Sequence, residues 1–382
     1  MLIHNDIQLD FDDVLIRPSK SLLNSRSEVN LERSYKFKWT NTVVNGVFIM
    51  NSNMVTTGNK RTSYKLLENN LFACLHKHHS YEELDDIFND MPENYKERCF
   101  ISIGLKKEET EKFDYVYKKH NIKNVVIDVP NAYIPKFLDK IKEIREKYPD
   151  SRIIAGNVCT SEGCVEIILA GADGVKINIG NGSACLTRRQ TGIGRPTLSA
   201  IIECANTCHQ MSALCLSDGG IRYNSDIVKA LGANADGVMI GSLFAGTDEA
   251  EGEIITKCFK TNEYEIEPEY DLLTDKITEH HGTPKYKYKN YKIFYGMSST
   301  FANDKFAGGM KDYKASEGRE LLIPHKGPLQ NIINEILGSL RSAMTYLGCN
   351  RLKDISKHTT FYIVHPNSQL NTSLENYDNS NV

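Results

Sequence analysis

The segment 180–188, with the sequence GNGSACLTR, combines a nucleophile with two glycines. It follows a short apolar run at 174–179 that is typical of a β-strand. Gly180 and Gly182 permit positive φ angles and let the backbone approach a ligand closely, and Cys185 follows them. The segment can therefore present a thiol for nucleophilic attack. A single cysteine in a chain that has ten is more often an incidental thiol, so the residues around Cys185 decide between the two interpretations.

Composition and charge exclude several classes of protein. The 382 residues, 40% of them hydrophobic and 25% charged, can bury one large core or two modest ones. The 46 basic and 49 acidic residues give a net charge of −3 without a basic block, so we expect no nucleic-acid partner. No run is long enough to span a bilayer and no leader pattern opens the chain, so we expect no membrane partner and a cytoplasmic location. The cysteines form no CxxC pair, which predicts reduced core residues.

An alternation of strand-like and helix-like segments predicts an α/β fold. Short apolar runs occur at 47–51, 72–76, 99–103, 125–129, 152–155, 175–179, 213–217 and 237–240. Charged amphipathic stretches separate them, and residues 135–145, for example, carry Phe137, Leu138, Ile141 and Ile144 on one face. Eight βα units predict a TIM (β/α)8 barrel. A doubly wound open sheet is the alternative, because periodicity alone does not show whether a sheet closes.

Two parts of the chain fall outside this repeat. Residues 1–46 show no clear period and predict a cap or an arm. After the eighth run, residues 243–327 precede the apolar pattern of the last helix at 329–340. A connection of that length on a barrel is usually functional.

The long connection has two parts of different composition. Residues 258–290 are polar and predict a peripheral insertion, whereas the glycine-rich residues 291–327 predict an active-site flap. The Asn/Ser-rich tail, 366–382, predicts disorder. We therefore expect a single catalytic domain over residues 1–365.

The active site of a TIM barrel lies at the carboxyl ends of the strands, so the residues after each run are the candidates. They are Asn53, Met54, Lys77, Gly104, Asp128, Asn157, Cys185, Asp218, Gly219, Gly220, Gly241 and Ser242. Each of them alone is compatible with an ordinary turn. A thiol, two acids, a lysine and an amide at one end of a barrel instead indicate an active site.

These residues predict a nucleotide ligand. The glycines after the seventh and eighth runs stand where barrels commonly bind phosphate through backbone N–H groups. Asp218 beside them can accept hydrogen bonds from a ribose diol, and Cys185 would then face the base. Thiolate attack on an electron-poor ring carbon requires a thiol pKa below its free value of about 8.5. Arg188 or the N–H groups of the loop can lower that pKa.

Longer motifs carry a family resemblance. Besides GNGSACLTRRQTGIGRP, the chain contains LDFDDVLIRP, CLHKH, AGNVCT, LSDGGI, GVMIGS, YGMSS and YKASEGR. These motifs resemble those of the IMP dehydrogenase and GMP reductase family and cover nearly all of the chain except the insertion and the tail. The segments 188–192, 296–299 and 315–318 resemble the reductase versions. The Arg-Tyr pair of the dehydrogenase flap is not visible, and there is no room for the regulatory domain pair that dehydrogenases usually insert.

The reductase resemblance implies NADPH-dependent reductive deamination of GMP to IMP and ammonia, by a homotetramer with a bound potassium ion. It implies that Cys185 attacks position 2 of the purine, that a covalent thioimidate forms as ammonia leaves, and that hydride from NADPH then releases the cysteine. Thr187 and Glu317 match the residues that handle the proton for the leaving ammonia. One alternative is an IMP dehydrogenase-type or modified-purine-nucleotide oxidoreductase. The other is a catalytically silent nucleotide-binding regulator, which the intact Cys185, Thr187 and Glu317 disfavour.

The resemblance also assigns binding residues. Those that match GMP contacts are Ser183, Asp218, Gly219, Gly220, Gly241, Ser242, Gly296, Met297, Ser298, Lys314, Ala315, Ser316 and Gly318. Those that match contacts of the nicotinamide cofactor are Lys77, Asp128, Val129, Pro130, Ile179 and Gly180, with Ser25 and Arg26 placed to meet the adenosine phosphate of a neighbouring subunit. The backbone oxygens that match potassium ligands belong to Gly180, Gly182, Cys185 and Arg188.

Several positions depart from the family pattern. Asn181 replaces a proline, Leu186 a threonine, Val55 an aspartate, Ala132 a glycine and Lys314 an arginine. The changes around positions 55, 130 and 132 lie near the expected cofactor face. They therefore bear on cofactor use more than on the thiol chemistry.

Overall fold

The computed structural model describes residues 3, 5–271 and 276–364. Its strands are β1 (Val14–Ile16), β2 (Arg33–Lys36), β3 (Val43–Asn51), β4 (Leu71–Leu75), β5 (Cys99–Ile103), β6 (Asn124–Asp128), β7 (Arg152–Val158), β8 (Gly174–Ile177), β9 (Leu214–Asp218), β10 (Gly237–Ile240), β11 (Ile255–Asp271), β12 (Lys276–Tyr295), β13 (Glu320–Pro324) and β14 (Phe361–Ile363). The tail 366–382 lies outside the described residues, so its predicted disorder is not tested.

The helices alternate with the strands. They are α1 (Lys60–Glu68), α2 (Tyr81–Phe88), α3 (Glu93–Lys96), α4 (Lys107–His120), α5 (Pro135–Lys147), α6 (Ser161–Leu169), α7 (Thr187–Thr191), α8 (Thr197–Gln210), α9 (Asn224–Gly232), α10 (Thr300–Ala307), α11 (Leu329–Leu347) and α12 (Ile355–His358). In α5 the predicted pattern holds, because Phe137, Ile141 and Ile144 are fully buried against the sheet. The last helix is longer than the predicted 329–340, since its apolar spacing continues to Leu347.

Strands β3 to β10 form a closed parallel barrel. They pair in chain order, and β10 also pairs with β3, where Val238 lies opposite Ile49 and Met239 opposite Met50. Each of the eight predicted runs overlaps one of these strands. The predicted TIM barrel is therefore confirmed. The alternative of an open doubly wound sheet is wrong, because β3 and β10 would then be unpaired edges.

The barrel interior is packed with side chains. Phe48 and Phe72 stack with their ring centroids 4.0 Å apart, and Tyr35 meets both rings edge-on. Tyr35 and Phe37 come from the antiparallel β2–β3 hairpin, which closes the end of the barrel at which the strands begin. Residues 1–46 thus include part of the core and not only an arm. Because both faces of each barrel strand are buried, the strands read as continuous apolar runs.

The long connection between β10 and α11 contains a β-ribbon. Strands β11 and β12 pair antiparallel, and Tyr291–Tyr295 of β12 pairs with β13 at the base of the ribbon. The described residues of the polar insertion predicted at 258–290 thus lie in two strands that were not predicted from the sequence. The segment predicted as a flap begins inside β12, continues through α10 and ends after β13. Sheet pairing therefore joins the insertion to the flap.

Candidate functional site

A cavity lies at the carboxyl ends of the barrel strands, under the residues that follow β12. Of the residues predicted for the site, those that line it are Asn53, Met54, Asp128, Val129, Pro130, Asn157, Ile179, Gly180, Gly182, Ser183, Cys185, Thr187, Asp218, Gly219, Gly220, Gly241, Ser242, Gly296, Met297, Ser298, Glu317 and Gly318. Residues distant in the sequence therefore share one cavity, as expected for the carboxyl end of a barrel.

The three residues predicted to be catalytic form a chain of hydrogen bonds. The Cys185 thiol lies 3.2 Å from Oγ1 of Thr187, and the Thr187 hydroxyl donates to Oε2 of Glu317 at 2.7 Å. Cys185 and Thr187 follow β8, whereas Glu317 precedes β13 in the flap. This arrangement can carry a proton from the thiol towards the carboxylate and back towards a leaving group.

Backbone hydrogen bonds dock the flap on the cysteine segment. The N–H of Leu186 donates to the Glu317 carbonyl at 2.6 Å, and Cys185 forms an antiparallel bridge with Gly318. A Cβ atom at Gly318 would lie 2.6 Å from the backbone nitrogen of Ser299, so only glycine fits between the two turns of the flap. This docking fixes the Glu317 side chain beside Thr187.

Arg319, which was not predicted as a site residue, also holds the flap. Its side-chain Nε and one terminal nitrogen donate to the Ser183 carbonyl at 3.0 and 2.9 Å, and its backbone N–H donates to the Ala184 carbonyl at 3.0 Å. The available signal was its place at the end of the motif YKASEGR.

The predicted phosphate-binding residues have the expected backbone freedom. Gly219 and Gly220 have φ angles of 75° and 74°, in the region that favours glycine. The hydroxyls of Ser183 and Ser242 lie 3.3 Å apart across the cavity wall. Behind them Lys326, which the sequence analysis also missed, donates to the carbonyls of Ser242 and Leu243 at 2.8 and 3.0 Å.

A charged cluster forms the floor of the cavity. The buried Lys176 ammonium contacts Asp128 and lies 3.2 Å from Oδ2 of Asp218. Asn53 donates to Asp128 at 3.0 Å and Asn157 donates to Asp218 at 2.8 Å. The sequence analysis predicted both carboxylates but missed Lys176, although a lysine inside an apolar strand was a usable signal.

Asn181, which stands where the family pattern has proline, gains contacts that a proline cannot make. Its side-chain amide donates to the Asp218 carbonyl at 3.2 Å and lies 3.3 Å from the Thr197 hydroxyl. Val55 is likewise accommodated, because it packs with Tyr295 and Ala302 beneath the flap. The apolar side chain at position 55 therefore contributes to the surface on which α10 packs.

Other predicted residues lie outside the cavity wall. Lys77 pairs with Glu109 at 3.4 Å beside Gly104, and Ser316 donates to the Gly318 carbonyl at 2.8 Å. Lys314 and Ala315 do not line the cavity either. Ser25 and Arg26 are exposed in a short 3₁₀ turn, Arg26–Glu28.

The Arg188 guanidinium was predicted to act on the Cys185 thiol, but its contacts lie elsewhere. It donates to Asp10 at 3.2 Å and to the Arg195 carbonyl, and it does not line the cavity. It therefore ties the cysteine segment to the N-terminal residues.

Within the described residues, no group of three or more His, Cys, Asp or Glu side chains could hold a metal ion. None of the helices seen in this part of the chain has both the length and the apolar content to cross a membrane.

Comparison with known proteins agrees with the motifs. Residues 8–265 and 276–373 match the family model of the IMP dehydrogenase / GMP reductase domain. The chain is 39% identical over 360 residues to GMP reductase 2 of Homo sapiens, which covers 94% of this chain and 95% of that protein. It is 39% identical over 380 residues to GMP reductase of Buchnera aphidicola subsp. Schizaphis graminum, an alignment that covers 99% of this chain and 100% of that protein. It is also 39% identical over 362 residues to GMP reductase of Escherichia coli O81, where the alignment covers 94% of this chain and 96% of that protein. The family predicted from the motifs is thus confirmed: the chain belongs to the IMP dehydrogenase / GMP reductase family.

Proposed function

We propose that this protein reduces GMP to IMP with release of ammonia, using a nicotinamide cofactor. The observation that carries the proposal is the hydrogen-bonded chain Cys185–Thr187–Glu317 at the mouth of the barrel. The relatives named GMP reductase supply the substrate and the reaction.

The contacts of Cys185 and Thr187 suggest a route for the proton. As the Cys185 sulfur bonds to carbon 2 of the purine, the thiol proton passes to Thr187, whose own proton passes to Glu317. Glu317 then returns a proton through Thr187 to the exocyclic amine, and the carbon–nitrogen bond breaks to release ammonia. A nicotinamide cofactor bound beside residues 128–130 and Ile179 would supply a hydride to carbon 2. Breaking of the carbon–sulfur bond would then release IMP and leave Cys185 as a thiolate, which takes up a proton from solvent before the next cycle.

Two sets of residues that suit the two ligands line the same cavity. Asp218 supplies a carboxylate that suits a ribose, and Gly219 and Gly220 let the backbone approach a phosphate closely. Residues 128–130 and Ile179 form the set that suits a nicotinamide ring. This division supports the predicted assignment of the two sets of residues.

Finer parts of the proposal rest on the family resemblance. We propose NADPH as the cofactor, a homotetramer in which Ser25 and Arg26 meet the cofactor of a neighbour, and a cytoplasmic location. We also propose potassium at the carbonyl oxygens of Gly180, Gly182, Cys185 and Arg188. Carbonyl oxygens suit a hard cation, and the Gly182 and Arg188 carbonyls, which accept the N–H groups of Cys185 and Gly192, each keep a second lone pair.

An assay with the purified full-length chain tests the proposal. The protein is incubated with NADPH or NADH and with GMP, AMP, XMP or IMP, while the absorbance of the reduced cofactor and the released ammonia are measured. We expect oxidation of NADPH with GMP alone and one ammonia per cofactor. Reduction of NAD with IMP would instead identify a dehydrogenase, and nucleotide binding without any turnover would identify a regulator.

A further inference from the structure

A single buried ammonium lies between the two predicted ligand subsites. We propose that Lys176 is a positioning residue that holds Asp218 for the nucleotide and Asp128 for the cofactor, so that both affinities depend on one side chain. The identity of the two ligands rests on the proposed function. The contacts that carry the inference are those of the cavity floor.

The fold brings the three groups together from separate strands. Lys176 is in β8 and only 1% exposed, Asp128 ends β6 and Asp218 ends β9. The side chain of Lys176 must pass β7 to reach Asp128, and the residue paired with it on β7 is Gly156. A Cβ atom at Gly156 would lie 2.6 Å from the Lys176 Cβ. The path of Lys176 thus requires a glycine on the intervening strand.

The contacts leave one carboxylate oxygen available to a ligand. Lys176 and Asn157 both contact Oδ2 of Asp218, and Oδ1 has no hydrogen-bond partner within the described residues. Because Asp218 also lines the cavity, Oδ1 is placed to accept from a ribose hydroxyl. Both oxygens of Asp128 are engaged, one by Lys176 and the other by Asn53. Lys176 therefore fixes the orientation of both carboxylates.

The charges in the cluster support this role. Burial alone lowers the pKa of Lys176, but the Asp128 and Asp218 carboxylates raise it above its ordinary value. Burial likewise raises the pKa of Asp128, whereas Lys176, Asn53 and Lys77 together hold it below its usual range. The buried Cys74 thiol also faces the ammonium. Both carboxylates share the ion pair with Lys176. Its loss therefore leaves two like charges close together in a buried site, and the pKa of at least one of them must rise.

Four variants test the inference: K176M, D218N, K176M/D218N and the control K292M. Lys292 is buried like Lys176, but its ammonium donates to the carbonyls of Thr247, Asp248 and Ala250 in a different cluster. Its replacement therefore reports the general cost of losing a buried lysine. The affinities for GMP and NADPH are measured by calorimetry from about pH 5.5 to about pH 8, where ordinary aspartates are ionised.

We expect K176M to weaken the binding of both ligands by about tenfold or more at pH 8. GMP affinity should fall further as the pH is lowered, because a carboxylate with a raised pKa is then protonated. Titration of the GMP phosphate is common to all the variants and cancels in the ratio to wild type. Among these three variants, the affinity for NADPH should be highest in D218N, intermediate in K176M/D218N and lowest in K176M. Affinities and pH profiles of K176M that equal those of K292M would overturn the inference.

The same variants give a readout that needs no ligand. A carboxylate whose pKa is raised in the folded state destabilises that state as the pH rises through the raised value. The unfolding midpoint of K176M should therefore fall, relative to K292M, from about pH 5 to about pH 8. If K176M does not fold, the NADPH affinity of K176M/D218N relative to wild type should still depend on pH and that of D218N relative to wild type should not, since titration of the NADPH phosphate cancels in both ratios. Equal profiles would contradict the inference. A wild-type protein that fails to turn over GMP would remove the proposed function while leaving these comparisons intact.

Discussion

Thr187 donates a 2.7 Å hydrogen bond to Glu317, across 130 residues of sequence, and thereby joins the cysteine segment to the flap. If Glu317 stores the proton during deamination, glutamine at that position keeps the shape but cannot exchange a proton. General acid catalysis contributes about a hundredfold to ten-thousandfold. We therefore expect Glu317→Gln to slow single-turnover ammonia release by at least about a hundredfold, with GMP and NADPH affinities nearly unchanged.

The matched control for this change is Glu320→Gln, because Glu320 is an exposed carboxylate in the same flap. Its rate should equal that of the wild type. A loss smaller than about tenfold in Glu317→Gln would exclude the general-acid role, and Thr187 would then need another proton partner.

Replacement of Cys185 by alanine should abolish turnover and spare GMP binding, because the predicted ribose and phosphate contacts come from other loops of the cavity. Turnover and calorimetric GMP affinity are the two measurements. Cys258→Ala, which removes an exposed thiol on the ribbon, is the control and should be fully active. Substantial activity in Cys185→Ala would rule out a covalent mechanism.

Arg26 is predicted to bind the adenosine phosphate that distinguishes NADPH from NADH. Its exposed position in a short turn leaves the guanidinium open to pair with a phosphate of a cofactor bound by a neighbour. Arg26→Ala should therefore raise the KM for NADPH by about tenfold or more and leave that for NADH nearly unchanged. Arg17→Ala, another exposed arginine of the N-terminal segment, is the control. Equal losses with both cofactors would show that Arg26 does not read the phosphate.

The distal part of the ribbon is predicted to be dispensable for folding. Excision of residues 260–289 with a short glycine linker leaves the barrel strands untouched and keeps the pairing of Tyr291–Tyr295 with β13. The shortened chain should unfold cooperatively near the wild-type temperature and bind GMP as before. Failure to fold would place the ribbon in the core or in a subunit interface.

His76 should make stability depend on pH. Burial, followed by the charges of His79 and His78, lowers the pKa of His76 to about 2, and its ring stacks on His79 at 3.7 Å. The unfolded chain takes up a proton near the ordinary pKa of about 6.5, whereas the folded chain does not. The contribution of His76 to stability is thus present above that pH and is lost as the pH falls towards 2.

Denaturant unfolding from pH 7.5 down to pH 5 measures this contribution. Each such group adds up to about 1.4 kcal/mol per pH unit to the slope. His76→Gln should flatten the slope, and His358→Gln, at an exposed position, should not. An unchanged slope in His76→Gln would show that His76 is protonated equally in both states.

Much of the barrel could be predicted because each strand and helix has a pattern of apolar residues that are neighbours in the sequence. A strand buried on both faces must be apolar along its length, and a helix that covers it must be apolar on one side, so the runs and the pattern at Phe137, Ile141 and Ile144 appear in any reading of the chain. The positions after each run follow from the rule that barrel sites lie at the strand ends. Cys185, Asp128 and Asp218 were found in that way.

The ribbon was missed because the sequence of β11 and β12 is mostly polar, and at 256–265 and 283–290, where exposure is described, most side chains face solvent. Such strands leave no apolar period in the sequence. Closure of the sheet was undetermined for a similar reason, since the pairing of Val238 with Ile49 joins the first and last strands of the repeat. Neither feature has a local signal.

By itself the sequence determined the family, the eight βα units and the thiol, because motifs, apolar runs and residue types are properties of neighbours along the chain. Only the tertiary structure decided that Glu317 meets Thr187, that Arg319 clamps the Ser183 carbonyl, that Arg188 turns towards Asp10, and that Lys176 lies between two carboxylates. The physical reason is that hydrogen bonds and ion pairs act over about 3 Å, and folding brings residues from different strands and from the flap to that distance.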